Sequence, residues 1–148
     1  MSRYWVALAY TWQLGDKYEL PKLQNDIVRA YMHGLKHNTI WWPDTLQEVL
    51  TAVTADCPLK RLIIEDVVVM AQDQGRAWES VEGAVIAGGA FVQLLECLEA
   101  YYKEDSYPSH QYGEDEIETA KYFVPEGGDD IKESNRIHSS ATVGATQT

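Results

Sequence analysis

The chain has 148 residues, 45% of them hydrophobic, and 12 basic against 23 acidic residues give it a net charge of −11. That length fits one domain with a single core, and the acidic balance argues against nucleic acid, because phosphate-backbone binding needs a positive footprint. Two cysteines, Cys57 and Cys97, with no apolar signal segment at the N-terminus, point to a reducing intracellular compartment, cytoplasmic or nuclear. No stretch reaches the roughly 18 uncharged apolar residues of a spanning helix, so no membrane is expected among the partners.

The first helical pattern runs from Tyr4 to Leu14 without one charge, with large residues on every side. A helix apolar all round is normally buried all round, and the rest of the chain offers few helices to wrap it. Gly15 suits the left-handed stop after that helix. Leu20 is turned away from helical geometry by the proline after it, and Pro21 suits the first position of a second helix. Leu23, Ile27, Ala30, Tyr31 and Gly34 share one face of that helix, which extends to about Leu35. The two patterns form an αα-hairpin with an elbow at 15–20.

After a polar exit at 36–39, Pro43 opens a short third helix with Asp44 in its first turn. Leu46, Val49, Leu50 and Val53 line its inner face, and it ends near Thr54, ahead of Pro58. The next element, Leu59 to Gln72, sets Leu62, Ile63, Val67, Met70 and Ala71 on one side. Its run from Asp66 to Met70 is also strand-like, since branched residues favour extended backbone, but length and spacing favour helix. Trp78 anchors a turn at 74–79, and the pairs Glu82-Gly83 and Gly88-Gly89 weaken what lies between them. A last helix starts near Ala90, with Phe91, Leu94, Leu95, Leu98 and Tyr102 as its inner stripe, and ends at Lys103.

From there the composition turns acidic and poor in large apolar residues, so residues 104–148 are expected to be a disordered tail. Within it, 115–124 has the makings of a frayed helical turn or two. The fold class is therefore all-α: about five helices in an irregular bundle built from αα-hairpins, in a domain at 1–103 divided into a hairpin (1–37) and a following helical region (40–103).

The stretch Leu14-Gly15-Asp16-Lys17-Tyr18-Glu19-Leu20-Pro21-Lys22-Leu23-Gln24-Asn25, after an apolar helix, resembles the last helical hairpin of BTB/POZ domains in the form seen in many filamentous-fungal proteins. The pieces after it, Trp42-Pro43 and Pro58-Leu59-Lys60-Arg61-Leu62, are similar to the helical region that follows the domain in those proteins, and the likeness extends to about Lys103. In BTB domains the first of these helices packs on a sheet and helices that precede it in sequence. Here only Met1-Ser2-Arg3 precede it, so the resemblance implies the C-terminal part of a BTB-type protein whose N-terminal half is absent, as a truncated product or an incomplete gene model. It further implies an adaptor or scaffold role through self-association or docking of other proteins, ubiquitin-ligase scaffolds of the cullin type among them. The usual dimer face of the family lies in the absent half.

Catalytic and metal patterns are weak. His33 and His37 stand four apart, but no further ligand follows at zinc-site spacing, and Cys57, Cys97 and His110 are scattered. No nucleophile elbow, Walker loop or dinucleotide fingerprint is present, and Ser80 has no neighbouring histidine. The acids Glu114, Asp115, Glu116 and Glu118 read as a solvated run rather than a paired-carboxylate site. No enzyme activity, metal or cofactor is expected. Among the aromatics, Trp12 and Trp78 are assigned to the core. Tyr4, Trp5, Leu8, Trp41 and Trp42 are the candidates for contact with other proteins. The competing reading is an independent acidic helical protein, a structural or regulatory subunit unrelated to BTB proteins.

Overall fold

A computed structural model describes residues 2–36, 42–53, 56–73, 78–103 and 119–126. Among these the fold is all-α, without a strand. Its helices are α1 (Ser2–Lys17), α2 (Pro21–Lys36), α3 (Pro43–Ala52), α4 (Pro58–Asp73), α5 (Glu82–Ala87) and α6 (Phe91–Lys103), with a 3₁₀ turn at Trp78–Ser80. The six-residue α5, which opens with Glu82-Gly83 and stops at Gly88-Gly89, raises the count above the five expected. No helix among the described residues is long and apolar enough to cross a membrane.

Three prolines set three helix starts. Pro21, Pro43 and Pro58 each stand first in their helix, where a missing N–H removes no intrahelical bond. The elbow between α1 and α2 is shorter than the sequence reading has it. α1 runs through Gly15 to Lys17, and the left-handed stop falls on Glu19, at φ 54°. The Leu20 N–H donates to the Gly15 carbonyl at 2.7 Å and that of Glu19 to Asp16 at 3.3 Å, a Schellman closure. The Leu20 carbonyl then accepts from the Gln24 N–H at 3.1 Å, so one residue ends α1 and starts α2. Gly15 serves packing instead: a Cβ there would lie 2.7 Å from Gln24 Cγ.

α1 packs on α2 and on α3, α3 on α5, and α4 on α6, and one hydrophobic core runs through all six helices. α1 is not buried all round. It buries Trp5, Ala9 and Trp12, spaced i, i+4, i+7, and leaves Tyr4, Tyr10 and Leu14 about half exposed. The helix buried on every side is α4, where each residue from Leu59 to Ala71 except Arg61 is buried, its branched run included. On α2, Ile27, Val28, Tyr31, Met32 and Leu35 are buried, while Leu23 and Ala30 are only half-buried.

The inner stripe expected of the last helix holds at Leu94 and Leu98 and is otherwise displaced by one residue. Leu94 and Cys97 are buried, as is Ala90 just ahead of the helix; Phe91, Leu95 and Tyr102 face outward. Two adjacent stripes on α6 carry comparable apolar content, and the one with small residues, Ala90 and Cys97, allows closer approach to α4.

The boundary at Lys103 also needs correction. Residues 119–126 return to the helical body, with Tyr122 buried in its core. A short turn begins the segment, the N–H groups of Tyr122 and Phe123 donating to the carbonyls of Thr119 and Ala120. The rest of the expected tail, 104–118 and 127–148, lies outside the described residues.

Candidate functional site

The five candidate contact residues separate. Trp5 is in the core, 6% exposed, so its side chain cannot serve a partner without unfolding the hairpin. Its indole occupies a slot opened by Gly34: a Cβ on Gly34 would stand 2.1 Å from the ring. The Tyr31 ring lies 4.9 Å away, and the Tyr31 hydroxyl donates to the Trp5 carbonyl at 2.6 Å. Burial holds that phenol well above the usual range, so it stays protonated and keeps donating. Leu8 is half-buried against the core. Tyr4 and Trp42 are the exposed members, Trp42 at 64% as the residue ahead of α3. Trp41 lies outside the described residues. Trp12 is buried and Trp78 packs partly buried on the core, where the sequence assigns them.

The outer side of α1 continues from Tyr4. Tyr4, Ala7, Tyr10 and Leu14 follow each other at three- and four-residue steps on the exposed side, extended past the helix end by Tyr18 and Leu20. No charged side chain lies between Tyr4 and Gly15. Beside the stripe, the Thr11 hydroxyl is turned back onto the Ala7 carbonyl at 2.7 Å. α1 thus has two opposed apolar faces, one spent on its own core and one offered outward.

A second surface forms where residues 119–126 lie on the body. The Tyr122 hydroxyl donates to the buried carboxylate of Glu65 on α4, which also accepts from Arg61 Nε at 2.8 Å. That pairing raises the already high pKa of Arg61 further. The Arg29 guanidinium of α2 sits over the Phe123 ring, 4.6 Å from its centroid. Asn25 grips Val124 by its main chain: Nδ2 donates to the carbonyl at 2.9 Å, and Oδ1 accepts from the N–H at 2.8 Å. The same Nδ2 reaches Glu126 Oε1 at 3.0 Å. Asn25, Arg29, Glu65 and Tyr122 were not among the sequence candidates. The available signal was Tyr122-Phe123-Val124, three large apolar residues inside an acidic stretch.

Beside this segment a cavity of about 440 Å³ opens between the start of α4 and α6, lined by Cys57, Arg61, Glu65, Gln93, Cys97 and Lys121, among others. Both cysteines are free thiols. Cys57 caps α4, its Sγ accepting from the Lys60 N–H at 3.5 Å. Burial pushes its thiol up to about 11 against the opposing pull of that hydrogen bond, so almost none is nucleophilic thiolate at neutral pH. Among the described residues no group of three acids, cysteines or histidines is placed to hold a metal. His33 is exposed on α2, while His37, His110 and the acids at 114–118 lie outside the described residues. No family model, no curated protein and no solved structure matches the chain.

Proposed function

We propose that this chain is a protein–protein interaction module without catalytic chemistry, which docks its partner on the outer face of α1. The observation that carries the reading is the uncharged stripe Tyr4, Tyr10 and Leu14 with Tyr18 beyond it, exposed along a helix whose opposite face is already buried. Apolar surface gathered on one side of a helix marks a partner site more often than scattered exposed leucines do. The finer reading, a BTB-type adaptor or scaffold, is supported by the wording of the α1–α2 elbow and by the order of the helices after it. In that reading the outer face of α1 meets an apolar sheet or helix surface.

The test is a triple variant, Tyr4→Ser, Tyr10→Ser and Leu14→Ser. It should keep the helical circular dichroism of the parent while losing its binding of a hydrophobic dye and its self-association. A parent chain that is dye-silent and strictly monomeric at high concentration would sink the proposal. The docking of residues 119–126 favours a second reading, a self-contained acidic helical subunit of regulatory or structural type, because the body then closes on its own C-terminal segment.

A further inference from the structure

The contacts of residues 119–126 have the form of ligand recognition. A carboxamide that pairs with both the N–H and the C=O of one residue reads main chain, as an added strand would, and is indifferent to the side chain at that position. Asn25 does this to Val124 from a position 1% exposed on α2. Side-chain readers stand on the preceding residues: the Glu65 carboxylate for a phenolic hydroxyl and the Arg29 guanidinium for an aromatic face. The segment follows α6 in sequence after residues 104–118, and the hydrogen bonds and ring contact that hold it come from α2 and α4.

We propose that the surface formed by α2 and α4 is a peptide-binding groove, that residues 119–126 are its occupant in cis, and that it takes in trans an extended segment of another protein with the same chemistry. That chemistry is a tyrosine, an aromatic residue, an aliphatic residue held by its main chain, and an acid two residues further on. The groove uses none of the α1 stripe, so it is a second docking site independent of the first. The chain's own copy sets the threshold. It is part of the same molecule, so a partner enters only when it binds more tightly than that copy or when that copy is weakened.

The experiment uses full-length protein and a fluorescein-labelled peptide with the sequence of residues 117–127. Tyr122→Ala removes the phenol that pairs with Glu65, and Val124→Pro removes the N–H that pairs with Asn25. Each variant should bind the peptide at least tenfold more tightly than the wild type does. Adding Asn25→Ala to either should cancel the gain, and a peptide with alanine in place of its tyrosine should not bind. Equal affinity for wild type and both variants, all of them folded by circular dichroism, overturns the proposal. Should the variants fail to fold, hydrogen exchange on the wild type decides. The Val124 amide must open at least tenfold more often than the Val67 amide in the middle of α4, and equal protection makes the segment an integral part of the core and overturns the groove. Dimers of the wild type that exchange this segment between copies would likewise overturn a foreign partner.

Discussion

α1 and α4 are both 16 residues long, and their surroundings reverse what their compositions announce. α1 carries no charge from Tyr4 to Gly15 and exposes a whole face. α4 carries Lys60, Arg61, Glu65 and Asp66 and is buried on all sides except at Arg61. Hydropathy ranks the side chains; topology decides which helix is surrounded. The buried Glu65 carboxylate is paired, with Arg61 and Tyr122, and left unpaired it would be costly there. The lack of charge on the outer face of α1 has no such internal reason, which makes it informative about partners.

The sharpest way to break the comparison is a pair of truncations. Ile63→Ala in α4 should cost about 2–5 kcal/mol, as buried branched side chains do. Leu14→Ala on the outer face of α1 should stay within about 0.5 kcal/mol of neutral. Urea unfolding of both variants decides, and equal losses would mean that α1 is as enclosed as α4. The inner face of α1 is probed next by Gly34→Ala, which forces a methyl into the Trp5 ring. Overpacking of this kind costs about 1–3 kcal/mol, and replacing Trp5 by leucine in the same chain should recover part of it. A thermal melt unchanged by Gly34→Ala would show that the slot is loose.

The start of α4 answers to alkali. The Cys57 thiol is raised from 9.0 to about 11 in the folded chain, so the native state holds its proton longer than the unfolded state does. Its contribution to stability is whole below pH 9 and is lost as the pH rises from 9 towards 11. The first unit of that window should cost about 1 kcal/mol by linkage. Cys57→Ser, which keeps a helix-capping side chain, should flatten this part of the stability–pH curve, and parallel curves for the two proteins would exclude the thiol as the cause. The end of α1 supplies the smallest effect. Glu19 holds a left-handed conformation that glycine adopts without strain, so Glu19→Gly should gain up to about 1 kcal/mol, less the entropy that glycine adds to the unfolded chain. The equivalent corner between α5 and α6, with the same hydrogen-bond pattern, already has glycine there, Gly89 at φ 74°. A loss on Glu19→Gly would show that the glutamate makes a contact worth more than its strain.

These tests also mark what was legible in the sequence. Pro21 and Pro43 announce helix starts through their own covalent geometry, and both hold, whereas Pro58, read as the break after α3, also stands first in α4. The α6 stripe was only partly legible, at Leu94 and Leu98, because rows beginning at Ala90 and Phe91 satisfy the same period, and only the neighbouring helix chooses between them. Which side of α1 faces out was only partly legible for the same reason, since Tyr4 is exposed and Trp5 is buried. Glu19 could not be preferred to Gly15 as the stop, since glycine is the usual left-handed residue and here its missing side chain is used for helix approach. The groove was hardest to see, because it joins Asn25 to Val124 across 99 positions and such a pairing leaves no periodic trace. Of the candidate surface residues, Tyr4 and Trp42 are exposed as anticipated, whereas Trp5, the same residue type as Trp42, is held under α2 by a glycine.

The Asn25–Val124 clasp also has a kinetic consequence. The helical hairpins close short loops and form early, whereas joining position 25 to position 124 carries a larger loop-closure entropy. The clasp therefore belongs on the native side of the folding barrier. A substitution that weakens it, such as Val124→Pro, should raise the unfolding rate and leave the refolding rate nearly unchanged. In stopped-flow chevrons only the unfolding arm should move. A segment synthesised after all six helices would then govern how long the folded state lasts, with little say in how fast it is reached.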